Sequence, residues 1–538
     1  MATAAPSPVP ASSAAVHEKL SRNPGKIGML IFGAALLAGI IYTGISIAND
    51  IGAVRVTSAL PFILLGIALL TALGFEFVNG FHDTANAVAT VIYTHSMEPH
   101  IAVVYSGALN FLGVLTSTGA VAFAIITLLP VELILQVGSG AGFAMVFALL
   151  IAAILWNLGT WYFGLPASSS HTMIGSIIGV GIANQLMAPA GQATSGVDWG
   201  QAQKVGTQLL VSPLIGFGLA AILLLAAKVL IKDKRLYEAP KGTEPPPMPI
   251  RILLWLTCGG VSFFHGSNDG QKGMGLIMLI LVGTVPTAYA LNHAVTPAQT
   301  QDFIAVSNQT VQVVNKYVKP SAVIANADED IKAYVRTHQF NDNTMLALRQ
   351  EVDDIRNQVA GYTTMKLVPA DRQGNVRNEM YLVSEAIRLV EKGGHAQFSD
   401  DDNKVLTNYK KHIDLATKFI PTWVKVAVAI ALGLGTMIGW KRIVVTVGEK
   451  IGKDHLTYGQ GAAAEISAMA MIWASDSYGL PVSTTHVLSS GVAGTMAANR
   501  SGIQMSTVKN LALAWVLTLP IAMLLSGFLY WAFRGITG

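Results

Sequence analysis

One short motif occurs twice in the chain, and both copies place hydroxyl side chains where a helix is expected to begin. The copies read GLPASSSH at 164–171 and GLPVSTTH at 479–486, and each follows a long apolar run. Gly-Leu-Pro ends a helix, because proline has no amide hydrogen and restricts the residue before it. Ser and Thr cap the exposed amides at a helix start, and that end attracts anions. The duplicated motif therefore predicts an anion site built from two helix N-termini, one from each half.

A second pair of polar stretches places ionisable side chains next to apolar runs. They read EFVNGFHDTANAVAT at 76–90 and HGSNDGQKG at 265–273. Ionisable side chains at membrane depth are costly and are functional by default. The alternative is a short surface loop in which Asp and Asn cap the next helix. Alignment of the two stretches pairs Asp83 with Asp269, Gly80 with Gly266, His82 with Asn268, and Asn86 with Lys272.

The spacing of the motifs indicates an internal duplication. The paired acids are 186 residues apart and the hydroxyl motifs are 315 apart, a difference of 129. A hydrophilic stretch of nearly that length, 292–420, lies between the two motifs of the second half. Removing it brings the two offsets into agreement. We therefore predict two repeats, the second of which contains a later insertion.

The composition is that of a membrane protein. Of the 538 residues, 52% are hydrophobic and only 12% are charged, against about 25% charged in soluble domains. The net charge of +4 fits basic cytoplasmic loops better than nucleic-acid binding. The single cysteine, Cys258, excludes an internal disulfide. Runs that could span a bilayer, which needs about 20 residues, include 27–47, 102–129, 142–163, 209–231 and 511–533.

The chain divides by composition into six segments. The insert has amphipathic helical patterns at 344–359 and 379–390, and we expect a small helical domain outside the membrane. It lies on the periplasmic side if the linker is cytoplasmic and one broken crossing follows. The predicted segments are a disordered tail at 1–26, a first transmembrane half at 27–231, a basic, proline-rich cytoplasmic linker at 232–250, the start of the second half at 251–291, the insert at 292–420, and the rest of the second half at 421–538.

Repeats with paired polar motifs are typical of a transporter binding site, where helix N-termini face an anion and carboxylates face a co-transported cation. Asp83 and Asp269 would repel a bare oxyanion, so a cation or proton must lie between them, or a substrate oxygen must be protonated. Asn86 and Asn268 can both donate and accept hydrogen bonds. Lys272 carries the right charge for phosphate, and its alternative is a lysine that reaches toward water at the interface.

Three other polar residues allow more than one interpretation. Glu465 lies in a helix of small residues, where it could bind a coupling ion or hydrogen-bond to a neighbouring helix. A hydrolase would pair Ser with His and Asp. Here the hydroxyl residues and the histidines that follow them, His171 and His486, occur in two copies in opposite halves. One active site needs only one nucleophile, so the duplication argues against a hydrolase. We expect these histidines to make interhelical hydrogen bonds, with a proton-relay role as the alternative.

The four motifs, in this order, resemble those of the inorganic phosphate transporter (PiT) family. Their amino-acid sequences are most similar to those of the bacterial Pit-type low-affinity phosphate permeases. The resemblance covers nearly all of the chain outside the tail and the insert. It implies an all-α, inverted-repeat fold of about 10–12 transmembrane helices, with broken helices or hairpins at the midplane. It also implies a homodimer in the bacterial inner membrane that imports phosphate with a cation. Neither catalysis, nor a resident metal, nor a cofactor is expected.

The resemblance assigns site roles to Asp83, Asn86, Asn268, Asp269, Ser168–Ser170 and Ser483–Thr485, and the other candidates named below rest on their residue types. His82 stands where many members have Asn, and Gln271-Lys272 replaces an Ala-Asn-like pair, which favours protons over sodium as the coupling cation. Members of this branch can also carry neutral complexes of phosphate with a divalent metal. The expected phosphate ligands are Asp83, Thr84, Asn86, Ser168, Ser169, Ser170, Asn268, Asp269, Lys272, Ser483, Thr484 and Thr485. The expected coupling-ion residues are Glu76, His82, Asp83, Asp269 and Glu465.

The sequence thus predicts a secondary phosphate symporter that works by alternating access. Within transport, the alternative is a permease for sulfate or another oxyanion, which neutral hydroxyl donors would serve equally well. From other classes, the alternatives are an intramembrane Ser/His hydrolase and a passive anion channel. A channel would show a flux that is insensitive to the proton gradient.

Overall fold

The computed structural model describes residues 16–20, 25–51, 59–83, 85–189, 194–240 and 244–537. Most of the predicted tail, part of the linker, and Thr84 lie outside these ranges. The helices before the linker are α1 Lys26–Ile51, α2 Leu60–Asp83, α3 Ala85–Tyr93, α4 Pro99–Thr116, α5 Ala120–Ile126, α6 Val131–Leu135, α7 Gly140–Tyr162, α8 Ser169–Leu186 and α9 Trp199–Leu230. Those after it are α10 Met248–Thr284, α11 Pro286–Tyr289, α12 Pro297–Asn315, α13 Ala327–Thr337, α14 Thr344–Ala360, α15 Ala370–Gly393, α16 Asp400–Thr417, α17 Thr422–Thr436, α18 Lys441–Val445, α19 Tyr458–Ser477, α20 Thr484–Asn499 and α21 Met505–Thr537.

Seven stretches of the described chain are helical, long and apolar enough to cross a membrane: α1, α2 with α3, α4, α7, α9, α10 and α21. The pair α16 and α17, bent by 74°, makes an eighth if it is one span. The ranges given above contain helices and no β-strand. The predicted class, an all-α protein with several membrane spans, is confirmed, but the described residues contain seven or eight candidate spans rather than the expected 10–12. The opposite orientation of the two repeats stays a prediction.

The apolar run at 102–129 is not one helix. Helix α4 ends within this run at Thr116, and α5 begins at Ala120. Between them, Ser117 is extended and Gly119 has a φ of +88°, a left-handed conformation that favours glycine. The run therefore forms two helices, separated by the polar residues Ser117 and Thr118 and by the left-handed Gly119.

The second polar stretch does not break its helix. Helix α10 runs without interruption from Met248 to Thr284, through the whole of 265–273. Two glycines of this stretch allow close packing on α4. A Cβ on Gly266 would lie 2.2 Å from the carbonyl oxygen of Asn110, and one on Gly270 would lie 2.6 Å from Val114. The broken crossing that we expected at this point was therefore wrong.

The two halves exchange their hydroxyl-motif helices. Helix α8 packs on α21, the last helix of the second half, and α20 packs on α9, the last helix of the first. A Cβ on Gly179 of α8 would lie 2.1 Å from the carbonyl oxygen of Met523. The matching residue 315 positions later, Gly494, would meet the carbonyl oxygen of Phe217 at 2.2 Å. This reciprocal packing brings the first turns of α8 and α20 together.

The hydrophilic insert has its own buried core. Its apolar cluster includes Phe303 and Tyr409, whose ring centroids are 5.8 Å apart, and extends from Leu291 to Ala416. The two ends of the insert meet, because the amide of Asn292 donates to the carbonyl of Ala416 at 2.8 Å. The segment boundaries proposed from composition, and the side of the membrane on which the insert lies, stay predictions.

Replacing Gly494 with alanine should weaken the contact between α20 and α9. The added methyl group overlaps the Phe217 carbonyl, and overpacking of this kind typically costs about 1–3 kcal/mol. We expect the unfolding midpoint in detergent to fall by several degrees. Gly218→Ala is the matched control, because a Cβ there meets nothing within 4 Å. Equal midpoints for the two variants would refute the close-packing account.

Burial, with the nearby carboxyls of Glu379 and Asp328, raises the pKa of Glu351 in α14 from 4.5 to about 8. The folded insert therefore holds a proton that the unfolded chain releases above pH 4.5. Stability from this group is fully present below pH 4.5 and is lost as the pH rises to about 8. We expect the protection of α14 amides from hydrogen exchange to decrease between pH 5.5 and 8.5 after correction for intrinsic rates. Glu351→Gln should flatten this dependence, and an unchanged slope would contradict the assignment.

Candidate functional site

The Asp83 carboxylate lies between the first turns of α8 and α20. Its Oδ2 accepts hydrogen bonds from the Ser169 hydroxyl at 2.6 Å and the Ser169 amide at 3.4 Å. Its Oδ1 accepts from the Thr485 hydroxyl at 2.9 Å. Only 2% of Asp83 is exposed. One buried carboxylate thus joins two helix N-termini, one from each half, where the helix dipoles favour a negative charge.

The hydroxyl motifs build these two helix starts in the same way. Ser168 and Ser483 are the N-caps, and each hydroxyl accepts a hydrogen bond from the amide three residues later, at 3.2 and 3.1 Å. Gly164 and Gly479, with φ of +66° and +64°, follow the ends of α7 and α19. The predicted helix stops and hydroxyl caps are therefore confirmed in both copies.

The second acid, Asp269, lies beside a lysine and a histidine of the same helix. Its Oδ2 is 2.6 Å from the Lys272 ammonium and 3.4 Å from Nε2 of His265, and it accepts from the Ser169 hydroxyl at 3.3 Å. Ligand atoms of Asp83, His265 and Asp269 all lie within 4.8 Å of one another. We call these three residues the acid–imidazole cluster. Two carboxylates and one imidazole could together hold a cation.

His82 and Asn86 flank the first acid. Nδ1 of His82 is 2.9 Å from Asp83 Oδ1, and its Nε2 is 3.1 Å from the Thr160 hydroxyl. The Asn86 side-chain amide donates to the main-chain oxygen of Asp83 at 2.7 Å and to Thr485 Oγ1 at 3.0 Å. Oδ1 of Asn86 is buried and has no hydrogen-bond partner in the described part of the chain. This oxygen is available to a cation or a donor near Asp83.

Three of the predicted ligands lie around the second hydroxyl motif. The Ser170 hydroxyl donates to the carbonyl oxygen of Val482 at 2.8 Å. Asn268 donates to the Leu480 carbonyl at 3.1 Å and accepts from the Val482 amide at 3.3 Å. These bonds hold the Gly-Leu-Pro turn of the second motif against α8 and α10. Among the described residues, the buried Thr484 hydroxyl has no hydrogen-bond partner.

Two further buried acids join helices away from the cluster. Glu76 of α2 accepts from the Gly273 amide of α10 at 2.7 Å. Glu465 of α19 accepts from the hydroxyls of Thr90 and Thr257, which lie on α3 and α10. Neither carboxylate belongs to the acid–imidazole cluster. Their contacts fix neighbouring helices, and the coupling-ion role expected for them stays a prediction.

The two motif histidines contact each other directly. The ring centroids of His171 and His486 are 4.5 Å apart, and His486 stacks on Trp515 at 4.2 Å. Within the described chain, Nδ1 of His171 and Nε2 of His486 have no hydrogen-bond partner. At these two nitrogens the expected interhelical hydrogen bonds are absent. The helices instead meet ring to ring, because both histidines point into the small space between α8 and α20.

Sequence reasoning missed two residues of the site. His265 is the first residue of the polar stretch 265–273. It lies four residues before Asp269, and this spacing on a helix indicates that the two side chains are neighbours. Asp476 accepts from the Ser267 hydroxyl at 2.6 Å and from the Gln271 amide at 2.7 Å. It thereby ties α10 to the end of α19. An acid three residues before the second motif had no counterpart in the first half, which gave no reason to select it.

Buried acids set between hydroxyl-lined helix ends, in an all-α fold with several spans, define a membrane transporter rather than an enzyme. Residues 79–526 match the phosphate transporter family. The low-affinity inorganic phosphate transporter PitA of Escherichia coli strain K12 is 43% identical over 490 residues, covering 87% of this chain and 96% of that protein. A probable low-affinity inorganic phosphate transporter of Bacillus subtilis strain 168 is 30% identical over 469 residues, covering 87% and 96%. The chain therefore belongs to the phosphate transporter family.

One solved structure was also found similar. It is described as "The sodium-dependent phosphate transporter" and covers 88% of this chain and 100% of its own, with 18% identity and a TM-score of 0.49.

Removing the hydroxyl that bonds to both acids should impair transport. Ser169→Ala deletes hydrogen bonds to two carboxylates, and one charge-assisted bond is worth about 1.5–3 kcal/mol. We expect phosphate uptake by proteoliposomes to fall at least tenfold. Ser176→Ala is the control, because this hydroxyl bonds only within its own helix, to the Thr172 carbonyl at 2.8 Å. Uptake that is the same in both variants would show that Ser169 has no special role.

Proposed function

We propose that this protein imports inorganic phosphate by cation symport and alternating access, with protons favoured over sodium. The observation that carries the proposal is the position of Asp83. Its carboxylate is held by hydroxyl donors at two helix N-termini, one from each half. Neutral donors at helix N-termini that hold one anionic group can hold another anion in its place.

Phosphate is proposed to bind at the first turns of α8 and α20. The amides in a first helical turn have no intrahelical carbonyl partner and can donate to an anion. The hydroxyls of Ser169, Ser170, Thr484 and Thr485 lie in the same turns. These donors carry no fixed charge, so the anion can be released as well as bound. Phosphate would take over bonds that Asp83 receives in the structure described.

This competition gives a physical reason for coupling. Phosphate and the Asp83 carboxylate require the same two hydroxyls, of Ser169 and Thr485, and two negative charges at that distance repel each other. A cation or proton on Asp83 removes the repulsion and weakens the hold of Asp83 on both hydroxyls. Phosphate and the cation should therefore bind together, which is the requirement for symport.

Protons are favoured because each acid lies beside an imidazole. His82 contacts Asp83 at 2.9 Å, and His265 contacts Asp269 at 3.4 Å. Histidine is the side chain suited to proton exchange near neutral pH. Sodium stays the alternative coupling ion. A neutral complex of phosphate with a divalent metal stays a second candidate for the substrate.

Among oxyanions, the two acids favour phosphate over sulfate. Phosphate near neutral pH keeps a proton on at least one oxygen and can donate a hydrogen bond to a carboxylate. Sulfate has no proton to donate and would be repelled by Asp83 and Asp269. A passive channel and a Ser/His hydrolase are less well supported, since the buried charges suit coupling and the hydroxyls contact carboxylates rather than imidazoles. The bacterial inner membrane, a homodimer and a periplasmic insert belong to the same proposal.

The proposal is tested by phosphate uptake into proteoliposomes under separately imposed gradients. For the wild type we expect accumulation with a proton gradient and none with a sodium gradient alone. Asp83→Asn should reduce gradient-driven accumulation at least tenfold, because the residue that holds the cation loses its charge. Phosphate exchange without a gradient should persist in this variant. Sodium-driven accumulation would refute the proton preference, and no gradient-driven uptake at all would refute symport.

A further inference from the structure

The two acid motifs contain the same kinds of side chain in exchanged positions. In the first half, Asp83 follows a basic residue, His82, and an amide, Asn86, comes three residues later. In the second half the order is reversed: Asp269 follows an amide, Asn268, and a basic residue comes three residues later. In sequence, each acid therefore has one basic and one amide neighbour on opposite sides. In the structure, His265 also lies 3.4 Å from Asp269, so Lys272 is the nearer of two basic groups beside that acid.

The basic group of the second half is a permanent part of the site. The ammonium of Lys272 lies 2.6 Å from Asp269 Oδ2, and both residues are fully buried in the middle of α10. They are three residues apart on one continuous helix, so the backbone holds them together. An ion pair buried in this way is costly to open, because either charge alone would lack a partner. Asp269 thus has a cation supplied by the chain itself.

The first half has an oxygen atom at the matching position. Oδ1 of Asn86 is buried and has no hydrogen-bond partner among the residues that the structure describes, while the nitrogen of the same amide is fixed by two bonds. The Thr485 hydroxyl contacts both Asn86 and Asp83. Carboxylate, amide and hydroxyl oxygens are the ligands that hard cations prefer. The position that carries an ammonium in one half therefore carries a cation ligand in the other.

We propose that Lys272 is a tethered cation that replaces a soluble coupling cation in the second half, so that only the Asp83 half exchanges a cation during transport. This inference rests on the proposed symport. Lys272 balances the charge of Asp269 throughout the cycle, and a soluble cation is excluded from that acid by charge repulsion. The number of cations transported with each phosphate is then lower by one than in a transporter that has asparagine at both of the positions equivalent to 86 and 272.

The test converts the second half to the pattern of the first. In Lys272→Asn the charge of Asp269 is no longer balanced, and an amide oxygen is added beside it. Wild-type uptake in proteoliposomes should not change when external choline is replaced by Na⁺ or Li⁺ at constant ionic strength and a constant proton gradient. Uptake by Lys272→Asn should be low in choline and rise at least tenfold with Na⁺ or Li⁺. The unfolding midpoint of the purified variant should likewise rise with the alkali cation but not with choline.

Two control variants separate charge from ligation. Lys272→Arg keeps the charge and should remain independent of alkali cations. Lys272→Met removes the charge without adding an oxygen, so alkali cations should neither restore its uptake nor raise its midpoint. The inference would be overturned if Lys272→Asn took up phosphate in choline at the same rate as the wild type. It would also be overturned if the folded variant were not stabilised by any alkali cation. The midpoint measurement does not require transport, so a failure of the proposed symport would be seen separately, as absent gradient-driven uptake by the wild type.

Discussion

The site depends on one interaction, the bonding of the Asp83 carboxylate to the starts of two helices. A buried carboxylate without partners would be too costly at this depth. Hydroxyls from α8 and α20 supply the partners, and the dipoles of both helices add to the attraction. Because one helix comes from each half, the same carboxylate links the two halves of the chain. A change in the charge or position of this carboxylate would therefore alter hydrogen bonds to both halves at the same time.

The rest of the scaffold keeps those helix starts within reach of each other. Gly179 and Gly494 let α8 and α20 approach the last helices of the opposite halves. Asn268 and Ser170 hold the second hydroxyl motif in place, and Asp476 ties α19 to α10. Each contact joins residues distant in sequence. The polar groups of the centre are therefore positioned by helix packing rather than by their own loops.

This division explains what the sequence could predict. The caps at Ser168 and Ser483 follow from local rules, since proline, glycine and hydroxyl residues act within a few positions. The continuity of α10 could not be predicted in that way, because Gly266 serves a contact with Asn110, 156 residues earlier. Asp476 was missed for the same reason, since its partners lie on another helix. The acids themselves were predictable, because charge within apolar runs is rare.

The most direct test of the central claim is a structure determined with phosphate bound. The account predicts phosphate within hydrogen-bond distance of the hydroxyls of Ser169 and Thr485, with the Asp83 carboxylate displaced from at least one of them. Phosphate bound elsewhere, or bound while Asp83 keeps both hydrogen bonds, would contradict the competition on which the proposed coupling rests.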